Sequence, residues 1–296
     1  MAKKRKIILL LALATGLIVG GAIIYQATRI REKMILIPAG SFFMGCNVTF
    51  GSDCEPPSSP QREIFLDAFW LDEHEATVAE YRRCVKAGAC RAPQTHNRLG
   101  LDEKWQRYDF AYTWDKKNHD DFPVNGVEWK DAETYCRWRK KRLPAEAEFE
   151  KALRGGLSNQ EWPWGGAPSP PKNFGNFQDE SGRRHFTYWR VFDGYDDGWV
   201  ASSPVCSFKK NPFGLCDIAG NMTEWCRDYY DPNWYAKMPS KNPVDTTPSG
   251  YRVLRGGGWR GTPRSNHSYF RDQQPEQTYL SSIGFRCAKD AAPEKP

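Results

Sequence analysis

The chain has 296 residues and a formal net charge of +6, from 42 Lys/Arg against 36 Asp/Glu. Seven of those basic residues and one acidic residue lie in residues 1–34, which leaves 35 of each sign in the remainder. The body is formally neutral, so the surplus belongs to the N-terminus, and no nucleic-acid partner is expected.

At the N-terminus Lys3, Lys4, Arg5 and Lys6 precede the run Ile7 to Tyr25, which holds no charge. At about 1.5 Å per residue such a run nearly crosses a hydrocarbon core of roughly 30 Å. Residues 1–6 then read as a cytoplasmic tail, 7–25 as a transmembrane signal-anchor and 26–34 as a juxtamembrane linker. Residues 35–290 read as one domain outside the membrane, and 291–296 as a C-terminal tail. The positive charges in front of the run favour this single-pass type II orientation. A cleaved signal peptide is the alternative, with Ala12-Leu13-Ala14 as a small-residue site.

All nine cysteines follow the anchor. In an exported, oxidising setting they read as disulfides, and three close spacings point to Cys46–Cys54, Cys84–Cys90 and Cys206–Cys216. A fourth bridge has two of Cys136, Cys226 and Cys287 to draw on, with one thiol left over. No CxxC pair occurs, which argues against zinc. The 12 Trp, 13 Tyr and 16 Phe beside 25 Gly and 21 Pro suit a loop-rich fold held by aromatic packing.

In chain order, Met34 to Gly45 is β-prone, breaks at Pro38-Ala39-Gly40 and reads as a hairpin arm. Residues 46–63 form a loop, and Phe65, Phe69 and Trp70 resume a strand pattern. Thr77 caps a helix through Cys84, with Val78, Tyr81 and Val85 at helical spacing. Residues 89–125 read as an irregular excursion. A second helix is expected over Trp129 to Arg142. A third runs over Ala145 to Leu153, opened by Pro144 and ended by Gly155-Gly156. Glu146, Glu148 and Glu150, two apart, read as a solvated helix start. Short strands and turns follow as far as Cys287.

Seven blocks in order carry a resemblance to a known family. They begin with Ile37-Pro38-Ala39-Gly40-Ser41-Phe42-Phe43-Met44-Gly45 and Pro123-Val124-Asn125-Gly126-Val127, and continue with Arg142-Leu143-Pro144-Ala145-Glu146-Ala147-Glu148-Phe149 and Trp162-Pro163-Trp164-Gly165. Asn211-Pro212-Phe213-Gly214-Leu215, running on through Gly220-Asn221 to Glu224-Trp225, is the fifth. Arg255-Gly256-Gly257-Gly258-Trp259 and Ile283-Gly284-Phe285-Arg286-Cys287 complete the set. Over residues 35–290 the chain resembles the formylglycine-generating enzyme, or sulfatase-modifying factor, family. The resemblance implies an irregular α+β fold related to the C-type lectin fold and a Cys136–Cys287 bridge, which leaves Cys226 as the odd thiol.

It also implies two structural calcium sites. The first would use Asn176, the Phe177 carbonyl, Asp197 and the Trp199 carbonyl. The second would use Asp217, the Gly220 and Met222 carbonyls, and Glu224. Such mixed carboxylate and carbonyl sets are what a hard cation needs, although ordinary Asx-turns explain the same residues without an ion. Of the Asn-x-Ser/Thr matches at Asn47, Asn221 and Asn266, the second falls inside a calcium motif.

Catalytic members of that family oxidise a substrate cysteine with oxygen through copper(I), held by two cysteine thiolates five residues apart. Here those positions are Gly261 and Asn266, and the serine position just before them is Gly258. Copper is therefore not expected, since neither residue offers the soft donor that copper(I) requires. Iron stays open, because some relatives group with non-haem iron enzymes, although the five histidines show no iron-binding spacing. His119-Asp120-Asp121 comes nearest and reads better as a solvated loop. Trp259, Arg260, Arg264, His267, Tyr269 and Arg271 form a candidate groove for a peptide or glycan ligand. The competing reading makes Arg264 and Arg271 structural ion pairs and Trp259 core.

Two function classes remain. One is a calcium-stabilised binding or scaffold module without copper chemistry, anchored at the outer face of an inner membrane in a bacterial envelope. The other is an oxidoreductase of the same superfamily with a different metal site.

Overall fold

A computed structural model describes residues 33–47, 54, 56–96 and 108–292. The expected span 7–25, and residues 293–296 of the expected tail 291–296, lie outside the described residues. Among those described, no helix is long and apolar enough to cross a membrane.

Among the described residues, three small sheets and short helices make up the unit beginning at Met34. Strand β1 (Met34–Ile37) pairs antiparallel with β4 (Phe69–Asp72), and β4 with β9 (Ala288–Asp290). Strand β2 (Gly40–Met44) pairs instead with β3 (Arg62–Leu66). The segment expected as one hairpin arm is thus two strands in two sheets. Gly40, at φ +143°, supplies the bend between them.

The third sheet, ordered β7-β6-β5-β8, organises the site. Its strands are β5 (Thr223–Tyr229), β6 (Tyr251–Arg255), β7 (Asp272–Pro275) and the two-residue β8 (Ile283–Gly284). Glu224 on β5 stands opposite Arg255 on β6 and Gly284 on β8.

Helix α1 (Val78–Lys86) starts at a capping box, in which Thr77 accepts the Glu80 N–H and Glu80 accepts that of Thr77. Helix α2 runs only Trp129–Trp138, shorter than expected. Lys140 then takes φ +58°, a left-handed turn that ends the run before Arg142. Helix α3 (Glu146–Arg154) stops where Gly155 turns left-handed at φ +59°. Two single-turn helices, α4 (Glu180–Arg183) and α5 (Trp234–Lys237), interrupt the region expected to hold only strands and turns.

Aromatic packing holds this irregular chain together. Tyr81 stacks on Tyr135 at 5.4 Å, and both meet Phe285 edge-on at 6.3 and 5.3 Å. Each such pair adds about 0.5–1.5 kcal/mol beyond its buried area. Arg252 is held between Trp129 and Tyr229 at 3.5 and 3.4 Å. The four bridges are Cys46–Cys54, Cys84–Cys90, Cys136–Cys287 and Cys206–Cys216, and Cys226 is a buried thiol.

One sequence expectation fails outright. Glu146 and Glu150 are not solvated; both are 0 % exposed. Four residues apart rather than two, they lie on one helix face and both accept from the Tyr235 hydroxyl, at 3.1 and 3.2 Å. Arg271 pairs with Glu146 at 2.6 and 2.8 Å, Arg154 with Glu150 at 2.8 Å, and Arg255 donates to Glu150. Glu148 does stay at the helix start, where it accepts the Ala145 N–H and binds Arg142.

Candidate functional site

The positions that would carry copper lie beside a cavity of about 140 Å³, walled by β6, β7 and the segment after β6. Gly257, Arg260, Gly261, Ser265, Asp272 and Gln274 are among the residues lining it. Asn266 is buried and folded onto its own turn, with its amide donating to the Thr262 carbonyl at 3.0 Å. A β-carbon on Gly261 would stand 2.5 Å from Ser265 Oγ, and one on Gly257 would stand 2.0 Å from Asn266 Oδ1. Gly258, at φ +101°, presses against the Thr223 backbone nitrogen and leaves no room for a side chain. At Gly258 the approach is to backbone and favours glycine, whereas at Gly257 and Gly261 the nearest atoms belong to the Asn266 and Ser265 side chains.

The chain also has no thiols to spare. Eight of the nine cysteines are bridged, and Cys226 lies buried, its thiol pushed up by burial and by Asp228 and Glu146. The donor set does not fit copper(I).

The six expected groove residues do not come together as a groove. Arg260 alone lines the cavity, lying 4.4 Å over the Tyr108 ring. Trp259 is core, with its indole N–H donating to the Ser281 carbonyl at 3.4 Å. Arg271 belongs to the buried Glu146 pair and is capped by Tyr230 and Tyr235. His267 is buried between Trp162 and Tyr269, 3.4 Å from Glu161, which also accepts from the Tyr269 hydroxyl. Arg264 is exposed. What reasoning along the chain missed is the β7 wall: Asp272, whose carboxyl is raised by burial against the pull of the Gln273 N–H and Arg260, and Gln274. Only the alternation of β7 beside β6 could have shown it.

The calcium sets can be tested against buried oxygens. At the second, Asp217 Oδ1 is buried without a hydrogen-bond partner, while Oδ2 accepts the Cys206 N–H at 2.6 Å. Burial pushes the Asp217 carboxyl up to about 6. Glu224 is held by Arg286 through both oxygens, at 2.7 to 3.0 Å. Glu75, also fully buried, keeps Oε2 without a hydrogen bond, and burial beside Asp217 pushes it well up. Three carboxyls face one guanidinium here, so the cluster is short of positive charge. At the first set, Asn176 Oδ1 is likewise buried and unmatched. Asp197 is raised to about 8 by burial and by Asp179, and its oxygens accept the Phe177 and Trp199 N–H groups.

These donors fit a hard cation. Among the described residues no three His, Cys, Asp or Glu side chains gather as a ligand set, so both sites depend on backbone carbonyls for the remaining oxygens. His119 is partly buried and stacks on Phe122 at 4.1 Å. The sequons at Asn221 and Asn266 are both buried, and Asn221 is tied to Ser203 and Glu75, so neither presents an acceptor in the folded chain.

Comparison with known proteins follows the same lines. Residues 22–291 match the family described as a sulfatase-modifying factor enzyme 1-like domain. The formylglycine-generating enzyme of Streptomyces coelicolor is 30% identical, over 89% of this chain and 91% of its own. The inactive C-alpha-formylglycine-generating enzyme 2 of Mus musculus is 28% identical, over 88% and 87%. In fold, the chain is similar to PvdO from Pseudomonas aeruginosa, with a TM-score of 0.68 at 24% identity, covering 87% of this chain and 94% of that one. This chain belongs to the formylglycine-generating, or sulfatase-modifying factor, enzyme family.

Proposed function

We propose that this protein is a binding or scaffold module of that family, stabilised by calcium and free of copper-dependent formylglycine chemistry. One observation carries the reading: the positions that the resemblance matches to the copper cysteines hold Gly261 and Asn266, and every cysteine is either bridged or buried. The resemblance to a mouse relative described as inactive is consistent with it. Residues 7–25 would anchor the module in an inner membrane as a type II protein, with the domain in the periplasm or outside the cell.

Calcium, when bound, would supply positive charge to the buried carboxyls and fix the loops that carry them. This chain's residues would do the holding: Asp217 and Glu224 with the Gly220 and Met222 carbonyls, and Asn176 and Asp197 with those of Phe177 and Trp199. The ligand of the module would be a peptide or glycan at the Arg260–Asp272 cavity. There a guanidinium and a carboxyl, both on the lining, offer both signs of charge to a polar chain.

Elemental analysis of the purified full-length protein tests this. Calcium with no copper, iron or zinc above trace supports the reading. One equivalent of a transition metal per chain would overturn it in favour of an oxidoreductase with a different metal site.

A further inference from the structure

Away from that cavity, a second one of about 240 Å³ opens between β2 and the end of α3. Its lining includes Lys151 and Arg154 but, among the described residues, no Asp or Glu. Phe42, Phe43, Leu157 and Phe213 give it apolar walls, and Phe43 is 39% exposed beside it.

The lysine is unusual in its surroundings. Lys151 is only 7% exposed, and its ammonium donates to the carbonyls of Pro38 and Gly40 at 2.7 and 2.9 Å. An ammonium has three N–H donors, and these bonds use two. Among the described residues Lys151 forms no ion pair, and burial holds its amine below the ordinary lysine range. A buried cation without an anion is costly, because carbonyl dipoles replace only part of its hydration. Arg154, the other cation on the lining, is already matched by Glu150. Lys151 is therefore the cation left without a carboxylate among the described residues, next to an apolar recess open to solvent.

We propose that this cavity binds a small amphipathic monocarboxylate, its carboxylate on the Lys151 ammonium and its apolar body against Phe42, Phe43, Leu157 and Phe213. The size agrees with this. A cavity of roughly 150 Å³ holds benzene, so the larger space here takes a phenyl ring with a short carboxylate arm. A charge-assisted bond to Lys151 supplies the preference for an acid over a neutral isostere, and the aromatic walls supply contact area. A lysine that only staples the Pro38–Gly40 turn would give neither the preference nor the recess.

The test is calorimetric titration of the full-length protein with phenylacetate and, separately, with the neutral phenylacetamide. Phenylacetate is expected to bind at least about tenfold more tightly than the amide. Ser158→Glu places a competing carboxylate on the cavity wall and leaves the Lys151 side chain intact, and it should weaken phenylacetate at least about tenfold while thermal unfolding stays unchanged. Lys151→Met should abolish the preference for the acid; should it fail to fold, Ser158→Glu alone decides. Equal binding of the two probes, no binding of phenylacetate, or full phenylacetate binding by a folded Ser158→Glu protein would each overturn the proposal.

Discussion

The side-chain amide of Asn266 donates to the Thr262 carbonyl at 3.0 Å and closes the turn Pro263–Asn266 on itself. That leaves only Oδ1, buried without a hydrogen-bond partner, and an amide oxygen is a hard donor rather than the soft ligand that copper(I) requires. The obvious reversal, Gly261→Cys with Asn266→Cys, meets the crowding at Gly261, where a β-carbon contacts Ser265 Oγ at 2.5 Å and the Gly258 carbonyl at 3.1 Å. Overpacking of this kind costs about 1–3 kcal/mol. The double variant is expected to unfold at lower temperature and to lose copper(I) to a competing chelator. Adding Ser265→Gly should recover part of both losses, read by thermal unfolding and copper(I) competition.

The buried network on α3 separates two kinds of ion pair. Glu150→Gln leaves Arg154 and Arg255 without their anion in the core and should cost about 3–5 kcal/mol. Glu133→Gln breaks a pair with Arg137, whose side chain is 73% exposed, and should cost under about 0.5 kcal/mol. Urea unfolding of the two variants checks the contrast.

Stability should fall between about pH 4 and pH 7. Burial, with Glu146 beside it, pushes Asp228 up to about 7. A raised carboxyl binds its proton more tightly in the folded state, so its contribution is complete below the ordinary carboxylate range and is lost as pH rises through 7. The three-unit displacement sets an upper bound on the order of 4 kcal/mol. Glu150 acts in the opposite sense and in another window. Burial raises it, but Arg154 and Arg255 outweigh that and hold it low, so its contribution disappears only under stronger acid. Asp228→Asn should flatten the decline between pH 4 and pH 7, at a cost of about 1–3 kcal/mol, because its NH₂ must face the Glu146 or Asp245 N–H. Denaturant unfolding at pH 5 and pH 8 measures both effects.

Removing calcium should lower the unfolding temperature. A cation at a hundred times its dissociation constant contributes about 2.7 kcal/mol, or roughly 5–10 °C for a domain of this size. Thermal unfolding in a chelator and then in excess calcium reads the shift, and Asp217→Ala should shrink it. A chelator without effect would argue against both calcium sets.

The bridges should differ in value with the loops they close. Cys136–Cys287 spans 151 residues, and its loss is expected to cost about 5 kcal/mol; Cys84–Cys90 spans 6, and about 2 kcal/mol is expected. Paired Cys→Ala variants in urea test the ordering. Native protein should also resist alkylation at Cys226, which becomes reactive only on unfolding.

Much of the frame was legible along the chain because it rests on local rules. Thr77 with Glu80 wrote its own capping box, and Gly155 ended α3 where a left-handed residue was needed. Three bridges followed from short spacings, and the fourth from the family pattern. The missing copper donors needed no coordinates, since residue type alone decides that glycine cannot ligate.

Tertiary structure decided where charge goes. Glu146 and Glu150 read as solvated because a helix start tolerates acids. Only the arrival of Arg255 from β6 and of Arg271, just before β7, both more than 100 residues away, makes their burial affordable. The same packing withdrew Arg271, His267 and Trp259 from the expected groove and left Arg260 facing Asp272. It also left Lys151 without an anion among the described residues. Local sequence records the propensities of neighbours; the pairing of distant charges in a low-dielectric interior depends on which strands meet, and that is fixed only by the folded chain.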